Sequence, residues 1–136
     1  MLASNTYPPE YIAACRKRID AQLAAYLNLV DGATPETRAA FDEQFFPNLV
    51  LVLEVMFVHR LRGKEGKDGN PMNEVRFIAS SILEHGGVLT LDKSTKLKAS
   101  TSVLGFEPGE TIVLDADRFA RLAAAYFAAI EAAFGG

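Results

Sequence analysis

The chain has one cysteine, two histidines and no tryptophan in 136 residues. A single thiol closes no internal disulfide, so stability must come from an apolar core, and a reduced cytoplasmic setting is the simplest expectation. One Cys and two His fall short of a four-ligand zinc set. Neither His59 nor His85 stands in Glu-x-x-His or His-Glu-x-x-His, so no metal and no other cofactor is expected. Long hydrophobic runs are missing too. The most apolar stretch, LVLVLEVMFV over 49–58, is ten residues interrupted by Glu54 and too short to cross a bilayer. The opening MLASNTYPPE lacks the basic start and apolar stretch of a secretory signal. Charge of one sign is also lacking. Fourteen Lys plus Arg oppose seventeen Asp plus Glu, a net of −3, with no strongly basic segment, which disfavours nucleic acid and membrane surfaces as partners.

What is present suits one globular domain over 1–136, with 49% hydrophobic and 23% charged residues and no low-complexity tract. Ile12, Cys15, Ile19, Leu23, Tyr26 and Val30 recur at helical spacing and predict a first helix over 9–29, ended by Asp31-Gly32. Thr34-Pro35-Glu36 is a hydroxyl cap, a proline where its missing donor costs nothing, and an acid at the positive helix end. The segment it opens meets Pro47, which predicts a kink or a break. Beyond Pro47 nearly every side is apolar, so a helix over 48–62 is expected at the centre of the core.

Asn70-Pro71 repeats the cap-then-proline signature and opens a helix that Gly86-Gly87 ends. Residues 88–114 change character: VLTL, KLKAS and TIVL, with a turn at 107–110, predict a β-hairpin or three-stranded antiparallel sheet. Asp115 then caps a helix over 116–134, striped by Phe119, Leu122, Tyr126, Ile130 and Phe134 and smoothed by eight alanines. The expected fold class is therefore mainly α (α+β), a four- to five-helix bundle with a small sheet inserted at about 88–114. Its core should hold Ile19, Leu23, Phe45, Leu49, Leu53, Met56, Phe57, Ile78, Ile82, Phe119, Leu122, Tyr126 and Ile130.

Chemistry has one candidate region, HRLRGKEGKDGNP over 59–71. It fails the phosphate-loop pattern, because Asp68 follows Gly66-Lys67, Leu61 stands where the first glycine belongs, and two helices rather than a strand and a helix flank it. It fails the Gly-x-Gly dinucleotide fingerprint as well. Glu65-Gly66-Lys67 has the acid-x-Lys order of some nucleases, but in glycine-rich surroundings rather than on a strand. What survives is a small-anion site made of His59, Arg60, Arg62, Lys64, Lys67 and Arg76 near the start of the helix at Asn70. The competing expectation is a structural network, with Arg62 or Arg76 paired to Glu74 or Asp68. Glu54 joins the candidates, because a carboxylate on a central apolar helix is protonated or paired with a distant cation such as Arg18, Arg38, Arg76 or Arg121. Ser81 and His85 are an i,i+4 pair without a Gly-x-Ser-x-Gly elbow, which chance explains. No standard catalytic constellation is complete and no catalytic residue is named. The expectation is a small soluble cytosolic module, non-enzymatic and homo-oligomeric, acting through protein–protein interaction as a homodimer whose alanine-rich last helix is a candidate contact. The alternative is a binder of a small anionic or phosphorylated ligand at 59–76, with an enzyme of that kind not ruled out.

Overall fold

A computed structural model describes residues 2–136. Five helices follow one another: α1 (Pro9–Val30), α2 (Pro35–Met56), the single turn α3 (Arg62–Glu65), α4 (Pro71–Glu84) and α5 (Ala116–Phe134). Their starts lie where local chemistry asks for them. The Thr34 side chain accepts from the Thr37 N–H, Asn70 from the N–H groups of Met72 and Asn73, and Asp115 from that of Arg118, each satisfying donors the first turn leaves open.

The central element is α5, not the apolar run of α2. Phe119, Leu122, Ala123, Tyr126, Phe127, Ile130 and Phe134 are all buried, and α5 packs against α1, α2, α3 and α4. Helix α2 lies between α4 and α5 on one side only. Leu49, Val50, Leu53 and Phe57 are buried, Leu51, Val52 and Met56 are partly covered, and Val55 is 67% exposed. Of the expected core, Leu23, Phe45, Met56 and Ile82 are partly buried and the other nine are fully buried.

The structure decides two further points about this helix. Of the kink or break expected at Pro47, the break does not occur: α2 runs through the proline, because Phe46 on one side and Leu49, Val50 and Leu53 on the other are buried along one face. Their burial outweighs the lost backbone bond, which costs roughly 3 kcal/mol in an isolated helix. Nor does the helix reach residue 62. It stops at Met56, and the chain turns so that residue 4 bridges residue 60, with Ser4 N–H donating to the His59 carbonyl at 2.7 Å and Leu61 N–H to the Ser4 carbonyl at 2.9 Å.

The expected sheet is absent: among the described residues there is no strand, only the isolated bridges Ser4 to Arg60 and Val88 to Thr111. The turn at 107–110 forms, with Glu110 N–H donating to the Glu107 carbonyl. The ladder does not form, because side chains of α4 take up backbone groups that a partner strand would have used. Ser81 Oγ accepts the Thr90 N–H, and the two carboxylate oxygens of buried Glu74 accept those of Val103 and Leu104 at 2.8 and 3.0 Å. Asp92 folds the Ser94 and Thr95 N–H groups onto itself. Leu89 and Leu114 are buried, and Leu91, Leu97, Val103, Leu104, Phe106 and Ile112 lean on the core, so the segment is an irregular cover held by α4.

The cover also touches the glycine-rich loop. Lys96 N–H donates to the Lys67 carbonyl, and Gly69 sits at φ +88° against that same backbone. A Cβ at Gly69 would lie 3.0 Å from the Lys96 carbonyl carbon and 3.1 Å from the Leu97 Cα, with the Lys96 oxygen nearer still. Gly63 has nothing within 4 Å of its would-be Cβ. Gly69→Ala should therefore cost about 2 kcal/mol or more, through left-handed strain plus backbone collision, while Gly63→Ala should be neutral or slightly stabilising. Paired urea-unfolding curves on the two variants check this.

Candidate functional site

The turn that ends α2 points Arg60 inward, where its side chain is fully buried. A guanidinium carries five N–H donors, and each of these finds an acceptor. Nε donates to Glu65 Oε1 at 2.9 Å; Nη1 donates to the Phe57 carbonyl at 3.0 Å and the Tyr126 hydroxyl at 3.2 Å; Nη2 donates to Glu54 Oε1 at 2.9 Å and the Met72 carbonyl at 3.2 Å. Its plane also lies 5.6 Å from the Tyr126 ring centroid. One side chain thus links α2, α3, α4 and α5.

Glu65, the last residue of α3, is buried just as completely. Besides Arg60 it accepts from Arg76 through Nε at 3.1 and 3.2 Å and through Nη2, and from Asn73 Nδ2 at 2.8 Å. Arg62 stands at the rim, 3.9 Å from the same carboxylate and largely exposed. Arg76 Nη1 closes the ring 3.5 Å from Glu54 Oε2. Asn73 and Asn70 hold the loop around this centre: Asn73 donates to the Gly66 carbonyl and accepts from Gly69 N–H, and Asn70 Nδ2 donates to the Glu65 carbonyl and to Asp68.

The two carboxylates respond in opposite directions. Burial pushes Glu54 above its ordinary 4.5, and the charges of Arg60 and Arg76 pull it back only in part. Burial also works on Glu65, but the Arg76 hydrogen bond and the charges of Arg60 and Arg76 outweigh it and leave that carboxyl below 4.5. Burial likewise raises the Tyr126 phenol. The cluster is a balanced ion network whose polar atoms face one another.

The candidates from the sequence are only partly brought together. Glu54, Arg60 and Arg76 meet at the centre, with Arg62 at the edge. Lys64 turns away: its Nζ donates to the Asn5 carbonyl at 2.6 Å and lies 5.3 Å from the Phe134 ring centroid. His59 and Lys67 are exposed. The expected partners of Arg62 and Arg76 are replaced. Glu74 is engaged by the cover segment and Asp68 by Asn70, while Glu65 takes the arginines. Arg60 was not among the expected partners of Glu54, because six residues apart on one helix they could not meet; the break at Phe57 makes it possible. Glu65, Asn73 and Tyr126 went unread as site residues. The one available signal was the count of carboxylates against arginines around the loop.

Among the described residues no three His, Cys, Asp or Glu side chains gather as a metal ion would require, and no helix is long and apolar enough to cross a membrane. Comparison with known proteins finds no matching family model, no matching curated protein and no matching solved structure.

Two outcomes follow from the network. Removing one member of a buried ion set leaves the others unpaired, so Glu65→Gln should cost about 3–5 kcal/mol, against under about 0.5 kcal/mol for Arg62→Ala at the exposed rim. Thermal melting of both variants measures the contrast. Glu65, lowered in the folded state, contributes stability that is present above 4.5 and lost as pH falls through its lowered value. Glu54, raised in the folded state, does the reverse: its contribution is greatest below 4.5 and declines as pH rises through its raised value. The stability advantage of the wild type over Glu54→Gln should therefore be larger near about pH 4 than near about pH 7 in urea unfolding.

Proposed function

We propose that this chain is a non-enzymatic module that works by protein–protein association, as a homo-oligomer. The observation carrying the reading is the uncovered side of α2. Residues 49–58 are apolar on nearly every side, a composition suited to a helix surrounded by other elements, yet α1 does not pack closely along α2. Between them lies an open groove of about 520 Å³ lined by Tyr11, Ala14, Cys15, Arg18, Leu51, Val52, Val55 and Met56. The Tyr11 hydroxyl, donating to the Met56 carbonyl at 2.6 Å, closes its lower end. Contiguous exposed apolar surface of this kind marks an interaction site.

The ion network supports the same reading from the other direction. A small anion at the centre of the cluster would have to displace Glu54 or Glu65 from Arg60, which has no donor left to offer, so of the 59–76 cations only the exposed His59, Arg62 and Lys67 are uncommitted. The alanine surface of α5, with Ala124, Ala128 and Ala132 exposed, is a second candidate contact that offers only methyl groups, less apolar area than the larger side chains of the groove.

Sedimentation or light scattering across a concentration series tests the proposal. The wild type should reach about twice the 14.8 kDa of the chain, and Val55→Asp, at a position that is already exposed, should return it to the single-chain mass and melt as the wild type does once diluted to single chains. A wild type that stays at single-chain mass up to its solubility limit would reject the reading.

A further inference from the structure

The segment ahead of α1 lies across the lower end of the molecule as a strap, and it is held mainly through its own backbone. Ser4 bridges Arg60 in the parallel sense, donating its N–H to the His59 carbonyl at 2.7 Å and accepting the Leu61 N–H at 2.9 Å. The Asn5 carbonyl accepts from Lys64 Nζ at 2.6 Å. The Tyr7 N–H donates at 2.8 Å to the carbonyl of Phe134, one of the acceptors that the end of α5 leaves open. Asn5 and Thr6 are exposed, and Tyr7 is the one large side chain that the strap lays on the core. Its ring stands edge-on to Phe57 and Phe134, with centroids 4.9 and 5.8 Å away, and stacks on Tyr11 at 5.8 Å. Backbone bonds that any sequence can make, joined to one pocket that selects a side chain, are how strand-addition sites hold peptides. The present occupant fits that pocket imperfectly. The Tyr7 hydroxyl is buried with no hydrogen-bond partner among the described residues; the Ser4 hydroxyl comes near it, but not in hydrogen-bond geometry. A phenol there loses its water without replacement, whereas a phenyl ring fills the same space and leaves no polar atom unpaired.

We propose that the seat of this strap is a recognition site for a phenylalanine-bearing peptide segment of another protein, and that residues 4–7 occupy it as an internal competitor. The contacts of the strap specify the ligand. One residue pairs its N–H and C=O with the backbone of 59–61, the next offers a carbonyl to Lys64, and two residues further on an aromatic ring enters the pocket with its N–H on Phe134. The unpaired hydroxyl separates a foreign segment from the strap of a second copy, which would bring the same hydroxyl and gain nothing over the strap it displaces. Because the strap is tethered, at an effective concentration on the order of millimolar, it screens out weak ligands and yields only to a better ring or a longer contact. This seat shares only Tyr11 with the groove beside α2 and does not depend on what covers that groove.

Fluorescence anisotropy tests this, with a labelled peptide reproducing residues 2–9 and its Tyr7→Phe and Tyr7→Ala analogues titrated with the full chain. On a full chain carrying Tyr7→Ala, whose own strap has lost its ring, the Tyr7→Phe peptide should bind about tenfold more tightly than the natural one, and the Tyr7→Ala peptide at least about tenfold more weakly. A chain carrying Tyr7→Phe should close more firmly: its melting temperature should rise, and its affinity for the Tyr7→Phe peptide should fall about tenfold below that of the wild type. Ser4→Pro, which removes the N–H donated to the His59 carbonyl and leaves Tyr7 in place, is a second opened chain and should bind that peptide more tightly than the wild type does. If neither opened chain folds, or both melt cooperatively and bind no peptide, the strap is an integral part of the core and its seat is no recognition site. Equal binding by the wild-type and Tyr7→Phe chains would place the peptide elsewhere and overturn the assignment too. Mixed dimers in which an opened chain takes up the strap of a wild-type chain in preference to the peptide would give the seat to a second copy and reject the foreign partner.

Discussion

The architecture depends on one buried cation. Arg60 is nearly inaccessible to solvent, and its five donors fasten the end of α2 to α3, α4 and α5. Taking a guanidinium out of water is expensive, and only full satisfaction by carboxylates and carbonyls makes it tolerable. Much of the surrounding structure can be read as a device for that satisfaction. Phe57 ends the helix so that Arg60 turns inward. Helix α3 exists for a single turn that delivers Glu65, and the glycines at 66 and 69 let the loop fold back until Asn70 and Asn73 close around it. A buried network of this kind specifies geometry more than it adds net stability, because apolar groups of the same shape would serve the energy as well.

How much of this was legible follows the range of the signals. The starts of α2, α4 and α5 were readable because Thr34, Asn70 and Asp115 act on donors two or three residues away. The stripe of α5 was readable because periodicity is local as well. The sheet was misread for the same reason: short Val-, Thr- and Leu-rich runs bounded by turns look alike whether a neighbouring strand or the side chains of α4 receive their backbone groups. What decided between them was Glu74, a carboxylate that in sequence reads as an ordinary acid in a first helical turn. The ion network was half legible. Its arginines and Glu54 stood out, but Glu65 sat between glycines in a stretch that reads as solvated, and the break at Phe57 that brings Arg60 to Glu54 has no proline or glycine to announce it.

The polar and apolar halves of the molecule carry different burdens. At the lower end, ions and amides are tied to one another around Arg60 and Glu65. Along α1 and α2 the reverse holds: α1 packs on α5 and α2 on α4 and α5, while between the two helices the aromatic stack of Tyr26, Phe41, Phe45 and Phe46 makes the contact near the tip. The hairpin is held at its ends, by that stack and by Tyr11 on Met56, and open along its length.

The irregular cover has an effect of its own on how the molecule meets others. A sheet inserted before α5 would have presented unpaired N–H and C=O groups along its outermost strand, and such a border recruits foreign strands. Here α4 takes up several of those groups one by one through Ser81 and Glu74, and no continuous row remains among the described residues to serve as a template. A foreign strand therefore finds no ready ladder to extend along residues 88–114.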